Sequence, residues 1–174
     1  MWFKIPSNTT QEEFEELLRQ NSGLKELDCS FCPLLTNVPN IEGLETLDCY
    51  NCPLLTNVPN IEGLKKLDCS CCPRLTNVPN IEGLEILYCS GCPLLTNVPN
   101  IEGLKKLNCR SCPLLTINNI GYLPSLIEVS TDFPNFKERQ LYLHKLSLIR
   151  PNIQRKLGKY AGFTNDLMRM LETY

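Results

Sequence analysis

Read for its apolar positions alone, the chain from Leu24 onward is periodic. Leu24, Leu27, Cys29, Cys32, Leu35 and Val38 recur as Leu44, Leu47, Cys49, Cys52, Leu55 and Val58, and the set returns every 20 residues. Residues 24–43, 44–63, 64–83 and 84–103 align without gaps, and a degenerate fifth unit starts at Leu104. Alternation around Leu47 and Cys49 is that of a short strand with one buried face. Val58-Pro59-Asn60-Ile61 cannot continue a helix, so the return of each coil is extended or polyproline-like. One coil buries too little to stand alone, and stacking must supply the core. The pattern therefore predicts an α/β solenoid with a parallel sheet, one strand per unit, and a mostly non-helical opposite side.

The flanks differ. Thr10 followed by Glu13 is a capping-box pattern, and Phe14, Leu17 and Leu18 give residues 10–21 an apolar helical face. The fifth unit breaks down at "TINNIGYLPSL", and the rest predicts two or three helices interrupted at Pro151 and Gly162, the last starting at Thr164 or Asn165. The expected organisation is an N-terminal helical cap over 1–23, repeats over 24–126 and a C-terminal helical cap over 127–174.

Written from its first leucine, the unit is L-x-x-L-x-C-x-x-C-P-x-L-T-N-V-P-N-I-E-G, as in "LETLDCYNCPLLTNVPNIEG". It resembles the leucine-rich repeat, whose strand motif is L-x-x-L-x-L-x-x-(N/C)-x-L, with cysteine here at the sixth and ninth positions. The C-x-x-L-T portion looks like the cysteine-containing class, and V-P-x-I is similar to the short, helix-free bacterial effector type. The resemblance covers Leu24 to about Leu126. It implies a curved horseshoe whose concave face carries the sheet, and a binding role. Near-identical short repeats are also similar to those of giant viruses and intracellular bacteria, which implies a host-directed protein.

Cysteine changes the picture. Cys29/Cys32, Cys49/Cys52, Cys69/Cys72, Cys89/Cys92 and Cys109/Cys112 are Cys-x-x-Cys pairs, a spacing that also suits zinc or an iron–sulfur cluster. Every paired cysteine nevertheless falls at an inward repeat position, where it acts as a small buried hydrophobe. No metal and no cofactor are expected, and a structural or redox metalloprotein stands as the alternative. Eleven cysteines cannot all pair with one another. Cys71, at the variable eighth position, is the expected exposed thiol.

Comparing the units with one another locates the variation. The block from the second cysteine onward changes only at Arg74 across its first four copies, whereas positions two, three, five, seven and eight all vary. Positions three, five and seven point outward, so neighbouring strands align them into columns. A non-catalytic partner-binding surface is expected there, made by Glu26, Asp28, Phe31, Thr46, Asp48, Tyr50, Lys66, Asp68, Ile86, Tyr88, Lys106, Asn108 and Arg110. The aromatics suit binding anchors. Asp28, Asp48 and Asp68 form a like-charge row that asks for a cation, and Lys65 and Lys66 are the near candidates. Arg74 at the eleventh position implies that Leu34, Leu54, Leu94 and Leu114 are partly exposed.

Charge is segregated along the chain. Residues 134–174 carry eight Lys/Arg and three Asp/Glu, against nine and 16 for residues 1–133. Lys137, Arg139, Lys145, Arg150, Arg155, Lys156 and Lys159 form a basic tail, whose ordinary role is a solvated face and whose other role is phosphate or nucleic-acid binding. His144 is the sole histidine, and the chain has no phosphate loop, dinucleotide glycine motif or nucleophile elbow. The expectation is no enzyme. The start does not read as a secretory signal and no segment approaches a membrane span. A protein partner, no membrane and a cytoplasmic location, the host's if the protein is viral or an effector, are expected.

Overall fold

In the computed structural model, which describes residues 1–157, every unit contributes one short strand to a single open parallel sheet. The strands are β1 (Trp2–Lys4), β2 (Glu26–Asp28), β3 (Thr46–Asp48), β4 (Lys66–Asp68), β5 (Ile86–Tyr88), β6 (Lys106–Asn108) and β7 (Glu128–Ser130), and they lie side by side in chain order. The regular spacing is that of a repeat solenoid. Register follows the repeat without slip: Leu27, Leu47, Leu67 and Leu87 are successive partners. Slipping by one residue would turn this buried leucine row to solvent.

The turns explain the invariant residues. Leu35 N donates to the carbonyl of Cys32, and Leu55 N to that of Cys52, closing turns in which Pro33 and Pro53 take the second place that proline's fixed φ suits. Leu44 N donates to Ile41 and Leu64 N to Ile61 across a second turn. Its third residue is Gly43 or Gly63, at φ of 75° and 85°, a conformation that favours glycine. Between the turns, Leu35, Val38, Leu55, Val58 and Ile61 send their side chains into the core together with the strand leucines and the paired cysteines.

Two strands lie outside the expected repeats. In β1, Phe3 packs against the core and Ile5 is fully buried just beyond it, with its N–H donating 2.7 Å to the Asp28 carbonyl. In β7, Val129 pairs with Leu107, so "LIEVST" repeats the L-x-x-L-x-C opening with Val129 and Thr131 at the fourth and sixth places. The shortened fifth coil keeps its place through a 3₁₀ turn, Ile117–Asn119, after which Ile120 bridges to Val98.

Helix α1 (Gln11–Gln20) forms as its sequence predicts. Thr10 Oγ1 accepts from the Glu13 N–H at 3.3 Å, and the Glu13 carboxylate accepts from the Thr10 N–H at 2.9 Å. Phe14 is buried in the common core, with Leu17 and Leu18 packed against it. Gln11 then stands in for a missing coil. In the repeats Thr56 N donates to the Thr36 carbonyl, and at the first coil Thr36 N donates instead to Gln11 Oε1 at 3.0 Å.

Met1–Phe136 form one compact unit, and a second begins at Lys137. Helix α2 (Phe136–Leu157) runs through Pro151, which corrects the break expected there. Proline's φ is compatible with a helix, but inside one it forfeits the N–H bond to the carbonyl four residues earlier, that of Ser147, and its ring crowds that carbonyl. The expected interruption at Gly162 and the start at Thr164 or Asn165 lie outside the described residues.

Thr10→Ala removes a reciprocal cap and is expected to lower unfolding free energy by about 1 kcal/mol. Thr116→Ala serves as control, because Thr116 makes no side-chain cap bond to its 3₁₀ turn. Urea denaturation of the two variants should show a loss for the first and little change for the second.

Candidate interaction surface

The structure brings the predicted positions onto one face. Glu26, Thr46, Lys66, Ile86 and Lys106 are register partners in one row, and Asp28, Asp48, Asp68, Tyr88 and Asn108 in the next. Between the rows the strand leucines point into the core, so these side chains occupy the opposite face. Tyr50 and Arg110 follow at the seventh position, with Ser30 and Ser70 in the same column tucked out of solvent. Trp2 and Lys4 extend the rows on β1, and Glu128 and Ser130 on β7. Sequence reading missed these four because β1 has no leucine ahead of it and β7 carries Val129 and Thr131 where leucine and cysteine recur.

Aspartate at the fifth position has a local task. Ser30 N donates to Asp28 Oδ1 at 3.0 Å, Tyr50 N to Asp48 Oδ1 at 2.9 Å, and Ser70 N to Asp68 Oδ1 at 3.0 Å. Asn108 accepts from Arg110 N in the same way, at 3.4 Å. This is an Asx turn, legible in the sequence as Asp-x-Ser. It commits the seventh-position N–H away from the neighbouring coil, although β5, which ends in Tyr88, stops after three residues without such a turn.

The thiols answer that departure. With Tyr50 N committed to Asp48, the Cys29 carbonyl is reached instead by Cys52 Sγ at 3.1 Å. Cys72 donates likewise to Cys49 at 3.2 Å, Cys92 to Cys69 at 3.2 Å and Cys112 to Cys89 at 3.1 Å. At the first coil Cys32 reaches Pro6 at 3.6 Å. Sixth-position thiols donate forward, Cys49 to Asp68 at 3.1 Å, but that carbonyl already accepts Cys49 N. The ninth-position cysteines are therefore hydrogen-bond donors as well as apolar filler, which amends the purely hydrophobic reading.

Burial favours the protonated form of most of these thiols. Burial pushes Cys49, Cys69 and Cys89 well up, Cys72 to about 12, and Cys32, Cys92 and Cys109 to about 11. Where Cys29 and Cys52 meet, their hydrogen bond raises Cys29 and lowers Cys52. Metal ligation needs thiolate, so a metal binding here would have to displace these protons. Among the described residues no cluster of His, Cys, Asp and Glu is arranged to hold a metal ion.

Charges on the face are partly answered from within. Lys4 Nζ sits 2.6 Å from Asp28 Oδ2. Burial raises the Asp28 carboxyl, but the hydrogen bonds from Lys4 and Ser30 outweigh it and hold the group below its ordinary range. Asp48 is raised, first by burial and then by the charges of Asp68 and Asp28, against a lowering bond from Tyr50 N. Lys66 offsets some of this, whereas Lys65 belongs to another row. At the second position Lys25, Glu45, Lys65, Glu85 and Lys105 alternate in sign, with Lys25–Glu45 at 2.7 Å and Lys105–Glu85 at 2.8 Å. That alternation explains the variation at position two without a partner.

Position eight is left-handed in every full coil. Phe31, Asn51, Cys71 and Ser111 have φ of 55–57°, and Gly91 has 67°. Asparagine and glycine suit this conformation, whereas a bulky residue there is strained by roughly 1–2 kcal/mol. Phe31 accepts that cost, stays exposed, and packs edge-on against Tyr50 with ring centroids 5.2 Å apart. The Tyr50 hydroxyl reaches Cys71, the one cysteine that is not buried. Beyond the sheet face, Leu34, Leu94 and Leu114 are exposed, Leu54 is half-exposed, and Arg74 is exposed in their row.

On α2, Lys137, Lys145 and His144 are exposed, and Arg139 lies over the Tyr142 ring at 5.4 Å. The side chains of Arg150, Arg155, Lys156 and Lys159 lie outside the described residues. No helix among the described residues is long and apolar enough to cross a membrane. No family profile and no curated protein matches this chain.

Two outcomes follow. Cys52→Val leaves the Cys29 carbonyl unpaired and is expected to cost about 1–3 kcal/mol, whereas Cys52→Ser keeps a donor and Cys49→Val leaves a carbonyl that retains its N–H bond, so both should cost less. Thermal melts should rank the variants in that order and be indifferent to chelator. For Asp48, a raised folded pKa means stability that is present below the unfolded value and lost as pH rises through the folded one, so the ionised group is a cost at neutral pH. Asp48→Asn, which preserves the Asx acceptor, should stabilise at pH 7 by a few tenths to about 1 kcal/mol. The gain should shrink as pH falls through the carboxylate range.

Proposed function

We propose that the protein is a non-catalytic interaction module, a curved solenoid of leucine-rich-repeat type that binds a partner protein on the concave face of its sheet. On this reading the repeats over 24–126 form the binding body, the helical segments over 1–23 and 127–174 close its ends, and the protein works in the cytoplasm, of a host if its source is a virus or an intracellular bacterium. The observation that carries the proposal is local rule-breaking confined to one face. Phe31 occupies a left-handed position and stays exposed, Tyr88 replaces the Asx residue, and Ile86 interrupts a polar row, the last two being only half-buried. Residues that violate the local logic of their position without structural compensation mark functional sites.

The sister repeats supply a test that spares the fold. Phe31→Asn, Tyr50→Ser and Tyr88→Asn each install the residue another coil already carries at that position. Combined, they should leave the melting temperature equal or higher while abolishing capture of the partner that the unaltered protein draws from lysate, read by quantitative mass spectrometry. Undiminished capture by the folded triple variant would remove the sheet face from the proposal.

A further inference from the structure

The sheet face also shows what chemistry it is short of. Each aspartate in the fifth-position row spends Oδ1 on its own turn. Asp28 gives its second oxygen to Lys4, a cation that β1 places beside it in register. Among the described residues, Asp48 and Asp68 form no such ion pair. Asp48 and Asp68 are register partners on neighbouring strands, which lie about 4.8 Å apart. Tyr88 is the register partner of Asp68 on one side, and Tyr50, near enough to feel the Asp68 charge, flanks it on the other.

We infer that Asp48 and Asp68, between Tyr50 and Tyr88, receive an arginine side chain from an extended segment of the partner protein. The inference rests on the sheet face being the binding surface. Lys4 on Asp28 displays the answering interaction one step along the same row. A guanidinium satisfies the two features that a lysine ammonium satisfies only singly: its planar fork spans neighbouring carboxylates, and its faces stack on tyrosine rings. Lys66 lies in the adjoining row and weakens the acidic field at Asp48, so the site rewards a group that adds stacking and directed hydrogen bonds to plain charge.

Arginine–serine, lysine–serine and glutamate–serine repeat peptides of equal length are the probes, added to the full chain and followed by NMR. The reporters are the amides of Tyr50 and Ser70, which donate to the two carboxylates. The arginine peptide should shift both signals saturably, the lysine peptide should bind more weakly, and the glutamate peptide should leave them unmoved. The double substitution Asp48→Asn and Asp68→Asn keeps both turn acceptors and should weaken the arginine peptide by about tenfold or more. Equal response to arginine and lysine, or an unchanged affinity in the double variant, would overturn the inference. So would self-association of the unaltered chain that the double variant abolishes, since the occupant would then be the basic segment of a second copy. If the peptides fail while the Phe31, Tyr50 and Tyr88 variant still loses its partner, the binding face stands and only its arginine chemistry falls.

Discussion

Each of the first four repeats leaves one backbone carbonyl that the parallel sheet does not satisfy, and the ninth-position thiol of the next coil donates to it. Every repeat strand is three residues long; where the fifth position is Asp or Asn its side chain captures the N–H two residues ahead, and at Tyr88, which offers no such acceptor, Cys92 still reaches the Cys69 carbonyl. An unpaired buried carbonyl costs about 1–3 kcal/mol. Repeated at each of these repeats, that cost would exceed what so small a core can absorb. The Cys52-to-Cys29 bond and its three successors remove it, and they do so between coils rather than within them. Stacking is thereby required in two ways, by apolar burial and by hydrogen bonding, and the leucine register and the thiol ladder enforce the same spacing.

That dependence accounts for where the sequence is free and where it is held. Inward leucines, both cysteines, the turn prolines and the left-handed glycines each meet a neighbour or a backbone conformation that admits few substitutes. Position two tolerates Lys or Glu because the signs alternate between coils. Position five tolerates Asp or Asn because either accepts the turn N–H. Only positions three and seven, with the exceptional Phe31 and Tyr88, vary with no account inside the fold. The candidate surface is thus narrower than the full set of variable positions, and its aromatic centre lies around Tyr50.

The repeat, its strand positions, the buried faces and the first helix were legible because each is written several times or signalled by a reciprocal pair such as Thr10 and Glu13. The outward rows followed from alternation alone. The end strands were not legible: Trp2-Phe3-Lys4 has no leucine ahead of it, and Glu128-Val129-Ser130 carries Val129 and Thr131 where leucine and cysteine were sought. The thiols' polar role was hidden because a periodic cysteine reads equally as apolar filler or as metal ligand. Only the competing claim of Asp48 on Tyr50 N shows which carbonyl is left over. Pro151 misled because a proline inside a helical pattern marks a boundary or a helix that runs on through it, and the sequence does not distinguish the two.

Raman spectroscopy of the S–H stretch observes the ladder most directly, because this band lies clear of other protein vibrations and moves down on hydrogen bonding. The ladder predicts, for metal-free and metal-supplemented protein alike at neutral pH, a strong band at hydrogen-bonded frequency that resists exchange in deuterated solvent. A weak band from Cys71 should exchange at once. Loss of the main band on adding zinc, or a main band at the frequency of unbonded thiols, would contradict the claim that the cysteines join the coils as protonated donors.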